Sequence, residues 1–237
     1  MATIVCIHGG FGGGWEWRAV ARKLTAKGHD VFTPTLTGMG ERAHLLRAET
    51  DLETHASDVI GVLRAEAAEH VVLCAQSYGG MVGTLVADRV PELLDCIVYI
   101  DALLPRDGDS VFDVIAEEGV AMFKALADVN ANRVAPPVEG TPKPGSYDAR
   151  MTAHPYLSFV QPARLTGGGA KVPTWYVRCT GGDPVSALVE PSAARARSMS
   201  GWRYLELASP HDAHWFKADE VVALLESAIE SVAPGSE

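Results

Sequence analysis

The segment VVLCAQSYGGMVGTLVADRV, residues 71–90, constrains this chain more than any other. It opens on an unbroken apolar run, the pattern of a strand buried on both faces, and closes on a helical one. Between them lies Ala75-Gln76-Ser77-Tyr78-Gly79, the small-x-Ser-x-Gly pattern of a nucleophile elbow with Ala in the first small position. A serine at the apex of so sharp a strand-to-helix turn has strained backbone angles. Side chains two positions before and after it would collide, so Ala75 and Gly79 must be small. The turn exposes the Ser77 hydroxyl at a helix N-terminus, whose dipole favours developing negative charge. Ser77 is therefore the candidate nucleophile.

The glycine-rich loop IVCIHGGFGGGWEW, residues 4–17, follows the first strand-like run. Such a loop suits either a phosphate cradle or an oxyanion hole. Counted from Gly10, Trp15 falls where a dinucleotide fingerprint needs its third glycine, and the second strand, VFTPTL, ends without an acidic residue for a ribose. That leaves the oxyanion. With an elbow serine, one donor is the amide after the nucleophile, Tyr78, and the second comes from the loop after the first strand. It is assigned to the Gly10 amide, with Phe11 as the fallback.

A base and an acid must follow Ser77. His211, in LELASPHDAHW, lies just past a strand and before the last helix, where a general base belongs. His214 is the rival, but it points into the next helix and is read as a pocket residue. Asp101 ends the strand CIVYID, where a carboxylate needs a partner to offset its desolvation. Asp183, in CTGGDPV, is the rival acid, although Gly-Gly-Asp-Pro is also turn composition. Asp101 is preferred and Asp183 stays open.

Strand-like and helix-like segments alternate along most of the 237 residues, which predicts an α/β fold with a mostly parallel sheet flanked by helices. Strands are expected over residues 3–8, 30–33, 70–75, 95–100, 173–180 and 202–208. Helices are expected over 15–27, 52–69, 79–89, 191–199 and 216–231. The alternation lapses between residues 105 and 171, where a Pro- and Gly-rich stretch from 130 to 148 reads as irregular chain. Residues 1–104 and 172–237 thus make the core and 105–171 an inserted cap, with a frayed tail at 233–237.

The net charge of −10 disfavours nucleic acid and anionic membrane as partners. No apolar run nears the roughly 20 residues of a membrane span, and the N-terminus lacks a signal-peptide pattern. Cys6, Cys74, Cys96 and Cys179 each sit in an apolar run without zinc spacing, and so point to core packing in a reduced cytoplasm.

Taken together, HGGFGGGWEW, TPTLTGMGERAHL, AQSYGGMV, VYIDALLPRDG, WYVRCT and WRYLELASPHDAHW resemble the α/β-hydrolase superfamily. The branch they resemble is the compact one of plant methylesterases, hydroxynitrile lyases and bacterial homologues. The resemblance implies a cofactor- and metal-free serine hydrolase of small carboxylic esters, or of a related carbamate, amide or lactone. Ser77 would be the nucleophile, His211 the base, and Gly10 and Tyr78 the oxyanion donors. Plant members resemble this chain at Asp183 and bacterial ones at Asp101, and this sequence has both. Ala75 and His214 depart from the Gly and Met usual in the family. Phe11, Trp15, His214, Phe112, Met122, Phe123 and Tyr156 are candidates for the substrate pocket. A homodimer is compatible with the resemblance. A ligand-binding receptor of low turnover is the alternative. A hydroxynitrile lyase would resemble a site with Thr and Lys where this chain has Gly9 and Asp212.

Overall fold

The computed structural model describes residues 1–138 and 148–233, so the middle of the Pro- and Gly-rich stretch and most of the tail lie outside the described residues. The chain opens with β1 (Thr3–Ile7), α1 (Arg18–Ala26), β2 (Asp30–Phe32), α2 (Leu52–Ala65), β3 (Val71–Gln76), α3 (Gly79–Arg89) and β4 (Leu94–Ile100). Next come α4 (Val111–Val114), α5 (Glu117–Ala125), a two-stranded ribbon of β5 (Ala127–Asp128) and β6 (Arg133–Val134), and α6 (Leu157–Val160). It ends with β7 (Thr174–Cys179), α7 (Pro184–Leu188), α8 (Glu190–Ser198), β8 (Arg203–Leu207), α9 (Ala213–Phe216) and α10 (Ala218–Val232).

The six long-range strands form one sheet in the order β2-β1-β3-β4-β7-β8, every neighbouring pair parallel. Each inner strand sends alternate residues to opposite faces. Val5, Ile7, Leu73 and Ala75 join one buried cluster with residues of α2 and α3. Ile4, Cys6, Val72, Cys74, Cys96 and Val98 join the other, with Trp17, Val20 and Leu24 near α1 and Val221 and Leu225 of α10. All four cysteines are buried and unpaired on this second face. Among the described residues, no helix is long and apolar enough to cross a membrane.

β4 pairs directly with β7, Ile97 beside Thr174, so the chain between them leaves the sheet and returns to the next strand position. The single first helix expected over 15–27 is instead a 3-10 turn at Gly14–Trp17 followed by α1. α2 starts on a capping box between Asp51 and Thr54 and stops at Ala65, short of residue 69, because Ala67 and His70 take left-handed backbone conformations. α7 has no counterpart among the helices expected from sequence. It starts at Pro184, with Asp183 as its N-cap.

Close backbone approach fixes the glycines of α3. A Cβ on Gly79 would lie 2.8 Å from the His8 carbonyl oxygen, and one on Gly83 would lie 3.0 Å from the Ala75 methyl. The helix therefore seats directly on β1 and β3. Gly79→Ala is expected to lower the urea-unfolding free energy by about 1–3 kcal/mol through overpacking. Gly61→Ala is the control: its Cβ would meet nothing within 4 Å. In mid-helix it should stabilise by about 0.5–1 kcal/mol.

Candidate active site

At the C-terminal edge of the sheet, β1 lies beside β3 and β3 beside β4. Just past these three strand ends, Phe11, Ser77 and Asp101 have positive φ values of 67°, 53° and 44°. Left-handed backbone at non-glycine residues is strained and persists only where the surroundings enforce it. For Ser77 they do so through its backbone. Its N–H donates to the Ile100 carbonyl at 3.3 Å, and its own carbonyl accepts from Leu103 and Gly80, both at 2.9 Å. The elbow is thus tied to the end of β4 and to the first turn of α3.

Asp101 is fully buried and accepts four hydrogen bonds. His211 Nδ1 approaches Oδ2 at 2.7 Å and the Ser186 hydroxyl donates to it at 2.9 Å. Arg178 Nη1 donates to Oδ1 at 2.5 Å and the Cys179 amide at 3.1 Å. Burial alone would push this carboxyl up, but the His211 and Arg178 bonds and charges outweigh it and hold it below the usual carboxylate range. For His211 burial pushes down, while the Asp101 hydrogen bond and the charges of Asp212 and Asp101 prevail and raise it. Because Asp101 has only acceptors, Nδ1 of His211 carries a proton and Nε2 is left for the cavity. Asp183 makes no hydrogen bond to His211 among the described residues. Its Oδ1 accepts the Val185 amide at 2.7 Å at the start of α7.

Gly10, Tyr78, Ser77 and His211 line one cavity. Among the described residues neither the Gly10 nor the Tyr78 amide donates to a protein acceptor. The fallback amide, Phe11, is occupied, donating to His154 Nδ1 at 3.3 Å. His8 sets the direction of the Gly10 amide. The Leu36 N–H donates to His8 Nε2 at 3.0 Å, so the His8 proton sits on Nδ1 and binds the Gly9 carbonyl at 2.8 Å. In a planar trans peptide, holding the Gly9 carbonyl on one side aims the Gly10 N–H to the other.

The cavity measures about 120 Å³ and its walls are mainly apolar, with Phe11, Met122, Phe123, Leu103, Met151 and Phe159 among them. Of the seven candidate pocket residues, Phe11, Met122 and Phe123 line this cavity and the other four lie elsewhere. Phe112 and Tyr156 stand one layer back, Phe112 edge-on to Phe159 at 5.9 Å. Trp15 faces a separate open cleft with Arg18, Arg22 and Arg150, where the Arg150 guanidinium stacks over its ring at 3.7 Å. His214 is fully buried, stacked on Trp17 at 4.5 Å with Nε2 3.5 Å from Glu16. The turn after Asp212 sends His214 behind the loop instead of into the cavity.

Arg178, Ser186 and His154 escaped the sequence reading. Arg178 left a signal, since a charged residue inside the apolar strand WYVRCT requires a buried anion nearby. Ser186 and His154 left none, because long-range folding alone brings them to the site. No group of three or more His, Cys, Asp or Glu among the described residues is placed to hold a metal ion.

The sequence pattern of the alpha/beta hydrolase family matches residues 4–224. A carbendazim hydrolyzing esterase from Nocardioides sp. is 34% identical over 227 residues, covering 90% of this chain and 93% of that protein. Methylesterase 9 of Arabidopsis thaliana is 32% identical over 106 residues, covering 44% of this chain and 41% of its own. Among solved structures, an extracellular alpha/beta-hydrolase from a Paenibacillus species superposes with a TM-score of 0.81 at 21% identity, covering 96% of this chain and 99% of the other. A pyrethroid hydrolase from Sphingobium faniae gives 0.71 at 19% identity, covering 100% and 99%.

The Asp101–Arg178 pair yields a stability test. Arg178→Met leaves the buried carboxylate without its cation and is expected to cost about 3–5 kcal/mol at pH 7. Since the Asp101 pKa is lowered by folding, its contribution is full above the unfolded carboxyl pKa of about 3.9 and fades as pH falls through the lower folded value. Urea unfolding at pH 7 should show that gap between the two proteins, and wild-type unfolding at successively lower pH should show the Asp101 contribution fading below about pH 4.

Proposed function

This chain belongs to the alpha/beta hydrolase family, and we propose that it is a serine carboxylic ester hydrolase acting through Ser77, His211 and Asp101. The observation that carries the reading is the buried Asp101–His211 contact of 2.7 Å beside the elbow serine. The named esterase that is similar over nearly the whole chain supports the class of reaction.

His211 Nε2 takes the Ser77 proton as Oγ attacks the ester carbonyl. Asp101 holds the imidazole in the tautomer that leaves Nε2 free and stabilises the imidazolium that forms. The negative charge moves to the carbonyl oxygen, where the Gly10 and Tyr78 amides meet it. His211 then gives its proton to the leaving alkoxide, and the C–O bond breaks to leave an acyl group on Ser77. Water, deprotonated by the same nitrogen, attacks the acyl carbon and releases the acid with Ser77 restored. No cofactor enters these steps.

The apolar wall and the small cavity favour an uncharged ester with a compact apolar acyl group. A related carbamate, amide or lactone would follow the same steps. Carbendazim is a specific compound to try, because the Nocardioides relative is named for hydrolysing it.

A p-nitrophenyl ester series tests the reading. Turnover should disappear in Ser77→Ala and should fall as the acyl chain outgrows the cavity. Asp101→Asn should lower kcat by about 10³–10⁴-fold, as for triad acids elsewhere, whereas Asp183→Asn should keep most of it. The reverse ranking of the two Asn variants would assign the acid to Asp183. A wild-type protein that binds esters tightly but turns over none would favour the receptor alternative.

A further inference from the structure

His154 lies on the segment between β4 and β7, remote in sequence from every residue given a catalytic part. It is fully buried, yet it meets the loop that carries Gly10. The Phe11 amide donates to its Nδ1 at 3.3 Å, and the amide of Thr152, two residues earlier, donates to the Phe11 carbonyl at 2.9 Å. Both sides of the left-handed Phe11 are thus held by one stretch of chain.

The proton positions follow from donor chemistry. An amide N–H can only donate, so Nδ1 of His154 presents a lone pair and the ring proton sits on Nε2. Nε2 faces the Ser158 hydroxyl at 2.8 Å, and that hydroxyl donates onward to the Pro155 carbonyl at 2.7 Å. The ring is also fixed mechanically. Its backbone pairs with Val134 in both directions, at 2.7 and 2.9 Å. The rings of Tyr78 and Phe159 each lie 4.4 Å from it, centroid to centroid.

We propose that His154 is a positioning residue for the oxyanion site, holding the Phe11 peptide so that the adjoining Gly10 amide faces the reacting carbonyl. This rests on the ester-hydrolase reading and on Gly10 as a donor. Nδ1 is the acceptor for the Phe11 amide, and a Cβ on Gly10 would sit only 3.7 Å from the same nitrogen. Without it the Phe11 amide would be buried with no acceptor. The loop would then relax towards another one and turn the Gly10 N–H with it. Burial, with the nearby His55 and His8, pulls the His154 pKa well below its ordinary value. The lone pair therefore persists at working pH.

Two substitutions separate the ring's roles. In His154→Asn the amide oxygen can occupy the place of Nδ1, whereas in His154→Gln the amide nitrogen can occupy the place of Nε2 and the acceptor for Phe11 is lost. An aryl ester and its thiono analogue serve as substrates, because sulfur is a weak hydrogen-bond acceptor and gains little from the oxyanion donors. His154→Gln is expected to lose about 10–100-fold in kcat on the oxygen ester, less than the ~10²–10³ lost when a donor is removed outright. KM should stay near the wild-type value, and the oxygen-to-thiono rate ratio should fall. His154→Asn should keep most of the rate and the ratio.

Equal losses in both variants, or a fall in kcat with an unchanged ratio, would assign His154 to folding alone and overturn the proposal. The nitrogen-15 spectrum of wild-type histidines supplies a readout that needs neither turnover nor a foldable variant. It should place the His154 proton on Nε2, and a proton on Nδ1 would sink the idea. The hydrolase reading fails separately, if the wild type shows no turnover that depends on Ser77.

Discussion

Asp101 is a full negative charge set where no water reaches it, and much of the surrounding architecture answers that charge. Its four donors come from three places: Arg178 and Cys179 at the end of β7, Ser186 in α7, and His211 before α9. Burying a carboxylate without such partners would cost far more than any single packing defect. The requirement therefore fixes the side chain of β7 at Arg178, seats α7 over the strand ends and draws in the loop that carries His211. The same charge sets the tautomer of the proposed base. Stability and chemistry depend here on one interaction.

Three of the six non-glycine residues with positive φ among the described residues lie along the same edge. Phe11, Ser77 and Asp101 follow three neighbouring strands, and all three have left-handed backbone at about 1–2 kcal/mol apiece. Each is restrained by hydrogen bonds from outside its own turn. Ser77 leans on Ile100 and Leu103, Phe11 on His154 and Thr152, and the Asp101 amide donates to the Val177 carbonyl at 2.7 Å. Parallel strands in register bring these three residues side by side, so the sheet acts as the ruler that spaces the proposed nucleophile, oxyanion loop and acid.

Buried histidines complete the arrangement, and their proton positions are fixed by what faces them. His8 and His154 both touch the glycine-rich loop after β1, one through the Gly9 carbonyl and the other through the Phe11 amide. His55 donates from Nε2 to the Thr37 carbonyl at 2.9 Å, so its Nδ1 accepts the Tyr78 hydroxyl at 2.7 Å. Burial pulls His55 down to about 4. His8 and His154 are likewise lowered, chiefly by burial, whereas His211, facing Asp101, is raised. A facing carboxylate thus distinguishes His211 from three histidines whose hydrogen-bond partners are uncharged.

The sequence by itself determined whatever depends on neighbours along the chain. Unbroken apolar runs marked the inner strands, and the elbow was legible because its small residues answer a local collision around Ser77. The order of Ser77 and His211 along the chain, with the last helix following, was enough to prefer His211 over His214 as the candidate base. Tertiary structure decided what depends on contacts between distant segments. Sequence favours Asp101 over Asp183 only slightly; that Asp101 lies 2.7 Å from His211 while Asp183 caps α7 is set by the pairing of β4 with β7 and by where α7 starts. In the same way Met122 and Phe123 reach the cavity while Phe112 and Tyr156 stand behind it. Apolar side chains carry no directional label of their own. Which of them faces a substrate is set by how short helices pack over the sheet, and that is a property of the folded whole.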